Sequence, residues 1–475
     1  MKFGFHVTGV VKEVVYTIIV LPVYLFIGIS GSYVVFLLPQ LDLPGSNIHL
    51  NDDQKSWIAS SIQLLSYFGC LFSGTIQDLF GRKVYFFLVF IPQIISWIVV
   101  ALATNYDTML WGMVIQGISL GMSFTASTYL SEIALTAHRG AILGSLPITY
   151  NLGAMVCNSL MYYVSWNIAA WIFAITSAMS MFLLLFIPES PIWLYNKGKK
   201  ERAIRTLCSL RVSDIHKVQG EIDDMQKSID GKPKLTLTRV LIEILKSWKP
   251  LLIVVVLQSL MQNTGYTILF SYTILVFERL QLPSLEGGKF AIVFALSGVI
   301  GSICTPFLMY KLTRKTQLIL SSLVMAICII AVVVYEEIFL HASNKPFPYV
   351  VPAALYVFSF ACNAGAMPIA YTIGAEIFPG EVRGTINGIF GVIWHINWTL
   401  IVKFYPMVVN IFGIKIILWA CAVFCLTIIL FGIWFLPETK GKTLNQVQEQ
   451  YFKSKKKTNP DNVDSGHSLR RDVNL

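Results

Sequence analysis

Charged side chains are scarce in this sequence, and where they occur inside or beside apolar stretches their spacing repeats. Asp78 precedes Arg82 by one helical turn in Gly74-Thr-Ile-Gln-Asp78-Leu-Phe-Gly81-Arg82-Lys83, and Tyr310-Lys-Leu-Thr-Arg314-Lys315 is a degraded echo of it. Glu132 leads to Arg139-Gly140, and Glu376 leads at the same offset to Arg383-Gly384. Pro188-Glu189-Ser190 has its counterpart in Pro437-Glu438-Thr439. Carboxylates and guanidinium groups so placed can pair and release. That is mechanical chemistry, a latch between neighbouring helix ends. The bland alternative is that they only anchor those ends at a membrane interface. Three paired signals in the same order point to an internal duplication.

A second set of polar residues sits within apolar sequence. Gln258 and Gln262 share a helix face, with Asn263 and Thr267 close by and Gly265 between them as a point where the helix can bend. Asn151, Asn363, Tyr371, His395, Asn397 and Trp398 lie in other apolar runs. Amides offer donors and an acceptor together, and Tyr and Trp add flat surface with a polar handle. Such groups either contact a hydroxyl-rich ligand or bind helices to one another. Asn151, Gln258 and His395 read as structural. The eight cysteines lie mostly in apolar stretches without metal-ligand spacing and read as buried thiols. There is no phosphate loop, nucleophile motif or metal cluster, so neither an enzyme nor a cofactor or metal site is expected.

The elements that must position these groups follow from composition. Of 475 residues 55% are hydrophobic and only 13% charged, about half the charged share of a soluble chain. Lipid must therefore solvate much of the protein. Apolar runs long enough to cross a bilayer fall near 14–38, 57–77, 84–104, 108–131, 141–163 and 168–187. They resume near 249–275, 289–310, 317–335, 349–374, 385–408 and 414–436. The expected fold is an all-α membrane protein of twelve transmembrane helices in two six-helix pseudo-repeats. Residues 1–187 form the first bundle and 249–436 the second. A linker with short helices, 188–248, joins them, and 437–475 is a tail. The run from Val14 is too long for a cleavable signal. The net charge of +10 is concentrated in the linker and tail, which marks those segments and both termini as cytoplasmic rather than as a nucleic-acid surface.

The ordered motifs resemble the sugar-porter branch of the major facilitator superfamily. The match runs through Gly74…Asp78…Gly81-Arg82-Lys83, Glu132…Arg139-Gly140, Pro188-Glu-Ser-Pro191, Glu376-Ile-Phe-Pro379…Arg383-Gly384 and Pro437-Glu-Thr-Lys-Gly-Lys-Thr-Leu444. Asn397-Trp398 followed by Lys403-Phe-Tyr-Pro406 looks most like the insect facilitated glucose and trehalose transporters. The resemblance implies passive uniport of a mono- or disaccharide across the cell membrane by alternating access. It implies substrate contacts from Asn397 and Trp398 and an outer gate at Tyr272, while Gln262, Asn263, Thr267, Asn363 and Tyr371 are substrate-contact candidates by their chemistry, with helix packing as the alternative. It also implies a cytoplasmic latch of Asp78, Arg82, Glu132, Arg139, Glu189, Arg314, Glu376, Arg383 and Glu438. Partners are the sugar and the bilayer, with oligomeric state open.

Several family positions are altered. Met113 stands for an Arg, Ser127 for a Pro, and Pro147 for a sugar-binding Gln. Ala370-Tyr371 replaces Pro-Trp, and Tyr310 and Thr313 replace the acid and glycine of the second loop. These changes motivate a rival, a non-transporting sensor on the same fold. The first span has no Asp or Glu between Val14 and Leu41, which disfavours the other rival, a proton-coupled symporter.

Overall fold

In the computed structural model, residues 2–44, 46, 48–123, 125–135, 137–212, 218–223, 226, 248–280, 287–339, 346–378, 383–436 and 438 are described. The side chains of 2–8, 375–376, 383–385 and 387 are not. The expected tail at 437–475 apart from Glu438, most of the linker beyond Val212, and the side chains of Glu376 and Arg383 therefore lie outside the described residues.

The first half contains α1 (Lys2–Val20), α2 (Pro22–Leu41), α3 (Asp52–Ser61), α4 (Ser66–Phe80), α5 (Arg82–Ala101), α6 (Tyr106–Ser123), α7 (Ala126–Ile133), α8 (Arg139–Tyr163) and α9 (Trp166–Leu183). Two short helices follow, α10 (Pro191–Asn196) and α11 (Lys200–Arg211). The second half contains α12 (Trp248–Gln262), α13 (Tyr266–Arg279), α14 (Gly287–Lys311), α15 (Arg314–Ile338), α16 (Val350–Ala361), α17 (Met367–Ile377) and α18 (Arg383–Trp434). Among the described residues there is no strand.

Among the described residues ten helical stretches are long and apolar enough to span a bilayer, and two features bring the count to the expected twelve. The 52-residue α18 would be roughly 78 Å long if straight, more than twice a hydrocarbon core. It bends at Gly413, where φ is 78° and ψ 160°, and so crosses twice. The remaining span is divided between α3 and α4 by a turn at residues 62–65. Large apolar side chains such as Phe68, Phe72, Trp111, Ile175, Ile303 and Ile411 point outward around the bundle, as a lipid-facing belt requires.

Three more of the spans are interrupted. α1 gives way to α2 at Leu21, and a π-helical turn at Cys362–Ala366 separates α16 from α17. α12 stops at Gln262 and α13 begins after Gly265, whose φ is +95°. A Cβ at Gly265 would also come within 2.9 Å of the Cys421 sulfur, so this break requires glycine. Interrupted helices at mid-bundle leave side chains and backbone free to line a cavity.

Candidate functional site

A cavity of about 700 Å³ lies between the halves. Its first-half wall includes Tyr24, Gln63, Ser127, Pro147, Tyr150 and Asn151. Its second-half wall includes Ser302, Thr305, Asn363, Tyr371, Trp394, His395 and Trp398. It extends to Gly140, Tyr310 and Arg314, and Tyr310 is 81% exposed. The cavity therefore opens at the end of the bundle that carries the charged motifs, here called the basic end. At the far end the halves are in contact.

That closure is largely built on one face of α18. His395, Thr399 and Lys403 recur at every fourth position, one above the other. His395 Nδ1 hydrogen-bonds Gln63 Oε1, and the Tyr67 hydroxyl donates to Thr399 Oγ1. Lys403 Nζ lies 2.7 Å from Asp53 Oδ1 and 2.8 Å from Ser56 Oγ, and 4.2 Å from the centre of the Trp57 ring. Asn158 Nδ2 donates to the Ala291 carbonyl (3.1 Å) on another seam between the halves. Tyr150 stacks on Phe270 with ring centroids 5.7 Å apart.

Of the residues expected to contact substrate, Asn363, Tyr371 and Trp398 stand in the cavity wall. The other four are turned into helix packing. Gln262 Oε1 accepts from the Thr267 hydroxyl, and both residues are buried. Asn263 Nδ2 donates to the Ser259 carbonyl (2.8 Å). Asn397 Nδ2 reaches the Ile393 carbonyl (2.9 Å) and Ser259 Oγ (3.3 Å) on α12. Tyr272, the expected gate, is buried at a kink in α13, donates to the Val402 carbonyl (3.0 Å) and stacks on Tyr405. Gln258 is buried away from the cavity wall. In contrast, Asn151 and His395, read from sequence as structural, line the cavity while also bonding across the halves. Trp394 was not singled out at all. Its only signal is that it falls one turn before Trp398 on the same helix face.

The charged motifs at the basic end form two matching clasps. Arg82 binds Glu132 through Nη2 (2.8 Å) and Nε (3.0 Å), and Asp78 through Nη1 (2.9 Å). Arg82 and Glu132 are largely buried, which favours pairing over solvation. Glu189 Oε1 accepts from the Arg82 backbone N–H (2.8 Å) and Oε2 from that of Lys83 (3.2 Å), while Lys83 Nζ reaches the Leu185 carbonyl (2.6 Å). Carboxylate at these first N–H groups of α5 answers both the unpaired donors and the helix dipole. The second half repeats the geometry. Glu438 takes the backbone N–H groups of Arg314 (3.2 Å) and Lys315 (3.4 Å), and Lys315 Nζ reaches the Ile433 carbonyl (2.6 Å). Arg139 is exposed. The ion pairs of Arg82 are therefore made within the first half.

A buried hub missed by sequence reasoning sits beside these clasps. Glu13 is 1% exposed. Its Oε1 accepts from Arg211 Nη1 (2.8 Å) and the Leu135 N–H (2.8 Å), and its Oε2 lies 2.9 Å from His138 Nδ1. Arg211 also binds Glu221 (2.9 Å). The hub ties α11 to α1 and to the turn between α7 and α8. Its position just before the first apolar run was the available signal.

Paired six-helix halves, broken helices around a central cavity and a duplicated clasp at one end define a membrane transporter of the alternating-access kind. The sequence model of the sugar (and other) transporter family matches residues 17–451, and the chain belongs to that family. It is 27% identical over 415 residues to the facilitated trehalose transporter Tret1 of Polypedilum vanderplanki, covering 85% of this chain and 81% of that one. It is 26% identical over 437 residues to the Tret1 of Apis mellifera ligustica, covering 90% and 86%. Among solved structures, the partially occluded inward open xylose transporter XylE of E. coli superposes with a TM-score of 0.76 at 17% identity, over 91% of this chain and all of the other. At that identity the likeness shows the fold.

Proposed function

We propose that the protein carries a hexose or a trehalose-like disaccharide passively across the plasma membrane by alternating access. In this reading the basic end, both termini and residues 188–248 face the cytoplasm, and the far end faces out. The observation that carries it is the central cavity, sealed at the far end by contacts between halves and open at the basic end. Rocking the halves about it would break the α18 contacts, open the far end and close the clasp-bearing ends together. The trehalose transporters among its relatives support the substrate class. Among the described residues that line the cavity there is no Asp or Glu. That supports uniport, because a coupled cycle needs a carboxyl or similar group exposed alternately to the two sides.

Within the site, Asn363 and Trp398 are assigned to the substrate, Tyr371 to its aromatic flank, and Asn151 to holding Asn363 through Nδ2 to Oδ1 (3.0 Å). Radiolabelled uptake of glucose, fructose, trehalose and inositol into hexose-uptake-deficient cells, at two external pH values, tests the reading. Saturable uptake insensitive to pH and to an uncoupler is expected. Absence of flux for every sugar, with the protein at the surface, would overturn transport in favour of a sensor. Asn363→Ala is expected to raise the half-saturating concentration by the equivalent of about 1–3 kcal/mol. Asn397→Ala should raise it less, because its amide bonds to α12.

A further inference from the structure

Two amides in the cavity wall have their donors already used. Asn363 Nδ2 gives its hydrogens to the Tyr266 hydroxyl (3.1 Å) and the Ser359 carbonyl (3.0 Å). Asn151 Nδ2 is shared among Ser302 Oγ (2.8 Å), Asn363 Oδ1 (3.0 Å) and the Pro147 carbonyl (3.0 Å). A primary amide has two N–H hydrogens, so neither side chain has a donor left for a ligand without giving up a bond. Thr305 Oγ1 is likewise within 2.7 Å of the Asn363 carbonyl.

A row of aromatic rings lines the cavity as well. Tyr371, Trp394 and Trp398 follow one another along it, with ring centroids 4.7 Å and 6.2 Å apart. Phe270 packs edge-on behind Trp398 (5.7 Å). Tyr371 is the open end of this row at 36% exposure, and Trp394, at 6%, packs against it. Met367 and Pro368 continue the surface. A volume of about 700 Å³ lies within the roughly 300–1,000 Å³ of pockets that bury ligands of drug size. A bare disaccharide of matching length would bring more hydroxyls to the Asn151–Asn363 pair than its remaining acceptors can serve, and each hydroxyl stripped of water without a partner weakens binding.

We infer that the favoured substrate is a sugar bearing an apolar ring, that is, a glycoside. Its sugar would sit by Gln63 and the Asn151–Asn363 pair, and its ring against Tyr371 and Trp394. This rests on the sugar-transport reading and names a substrate class for the same site. Trp394 is then a specificity-determining residue.

The test is competition against radiolabelled glucose uptake by unlabelled phenyl glucoside, glucose and trehalose, paired with direct uptake of labelled phenyl glucoside. Phenyl glucoside is expected to half-inhibit at a concentration at least about tenfold below either bare sugar, as one well-packed ring can supply, and to be carried itself. Trp394→Leu should reduce the ratio of phenyl glucoside to glucose affinity by about fivefold or more. Uptake of phenyl glucoside without measurable glucose uptake also supports the inference. Glucose or trehalose competing as well as phenyl glucoside, or phenyl glucoside blocking without being carried, would overturn it and leave sugar transport standing. Uptake of none of the three compounds would overturn both.

Discussion

If the α18 face holds the far end shut, removing Lys403 should shift the protein toward the state open at that end. Its ammonium is nearly enclosed, at 14% exposure, whereas its partner Asp53 is 74% exposed. An ion pair with one exposed member contributes about 0.2–1 kcal/mol, and the ammonium over Trp57 at 4.2 Å adds about 0.5–1 kcal/mol. Both contacts join α3 to α18, and so exist only while the far end is closed. Lys403→Ala should therefore favour the opposite state by about 1–2 kcal/mol, a factor of about 5–30 in the population ratio. Ile27 lines the cavity near the middle of its span, so Ile27→Cys reports access to it. A membrane-impermeant maleimide applied outside should label this cysteine about 5–30 times faster in the Lys403→Ala background, above the slow signal of eight native thiols that are mostly buried. Adding Asp53→Ala to Lys403→Ala should change the rate much less than it does alone, since the pair is already broken. An unchanged labelling rate in Lys403→Ala, at normal surface expression, would refute the idea that this face sets the conformational balance.

Other perturbations follow from single observations. Gly265→Ala adds a Cβ at positive φ and against Cys421, so thermal unfolding should show a loss of about 1–2 kcal/mol, and Cys421→Ala should recover only the collision. Glu13→Gln leaves Arg211 short of its buried partner, and a loss approaching 3–5 kcal/mol, the scale of a broken buried pair at roughly that figure, should appear as a lower melting temperature without a change in half-saturating sugar. Glu438→Ala should slow uptake to an extent similar to Glu189→Ala, each losing charge-assisted bonds worth roughly 1.5–3 kcal/mol. A Glu438→Ala protein transporting at full rate would show that the second clasp has no mechanical role.

The fold was largely legible because lipid imposes length and apolarity on every span, and those are properties of the sequence alone. Three spans were less plain in space than in sequence. The one divided at residues 62–65 and the pair joined through Gly413 depend on backbone angles that hydropathy does not encode. The charged motifs were legible because burial forces a carboxylate to find its partner, and Arg82 with Glu132 does so. The site was harder. Asn397 and Asn363 both read as amides inside spans, yet only Asn363, in the π-helical turn at Cys362–Ala366, stands in the cavity wall, whereas Asn397 bonds Ser259 on α12. Trp394 was missed because an aromatic in an apolar run carries no mark distinguishing a cavity wall from packing.

The clasp of Glu438 on Arg314 and Lys315 has a wider consequence. It is written on main-chain N–H groups, which every residue but proline supplies. Tyr310 and Thr313 have replaced the acid and the glycine found in the first copy, and the grip on the backbone is still there. A device of this kind tolerates drift in the letters around it, so a weakened signature understates how much of the machine persists. In duplicated proteins the copy that looks decayed on paper can remain mechanically whole, with its instructions held in the shape of the chain.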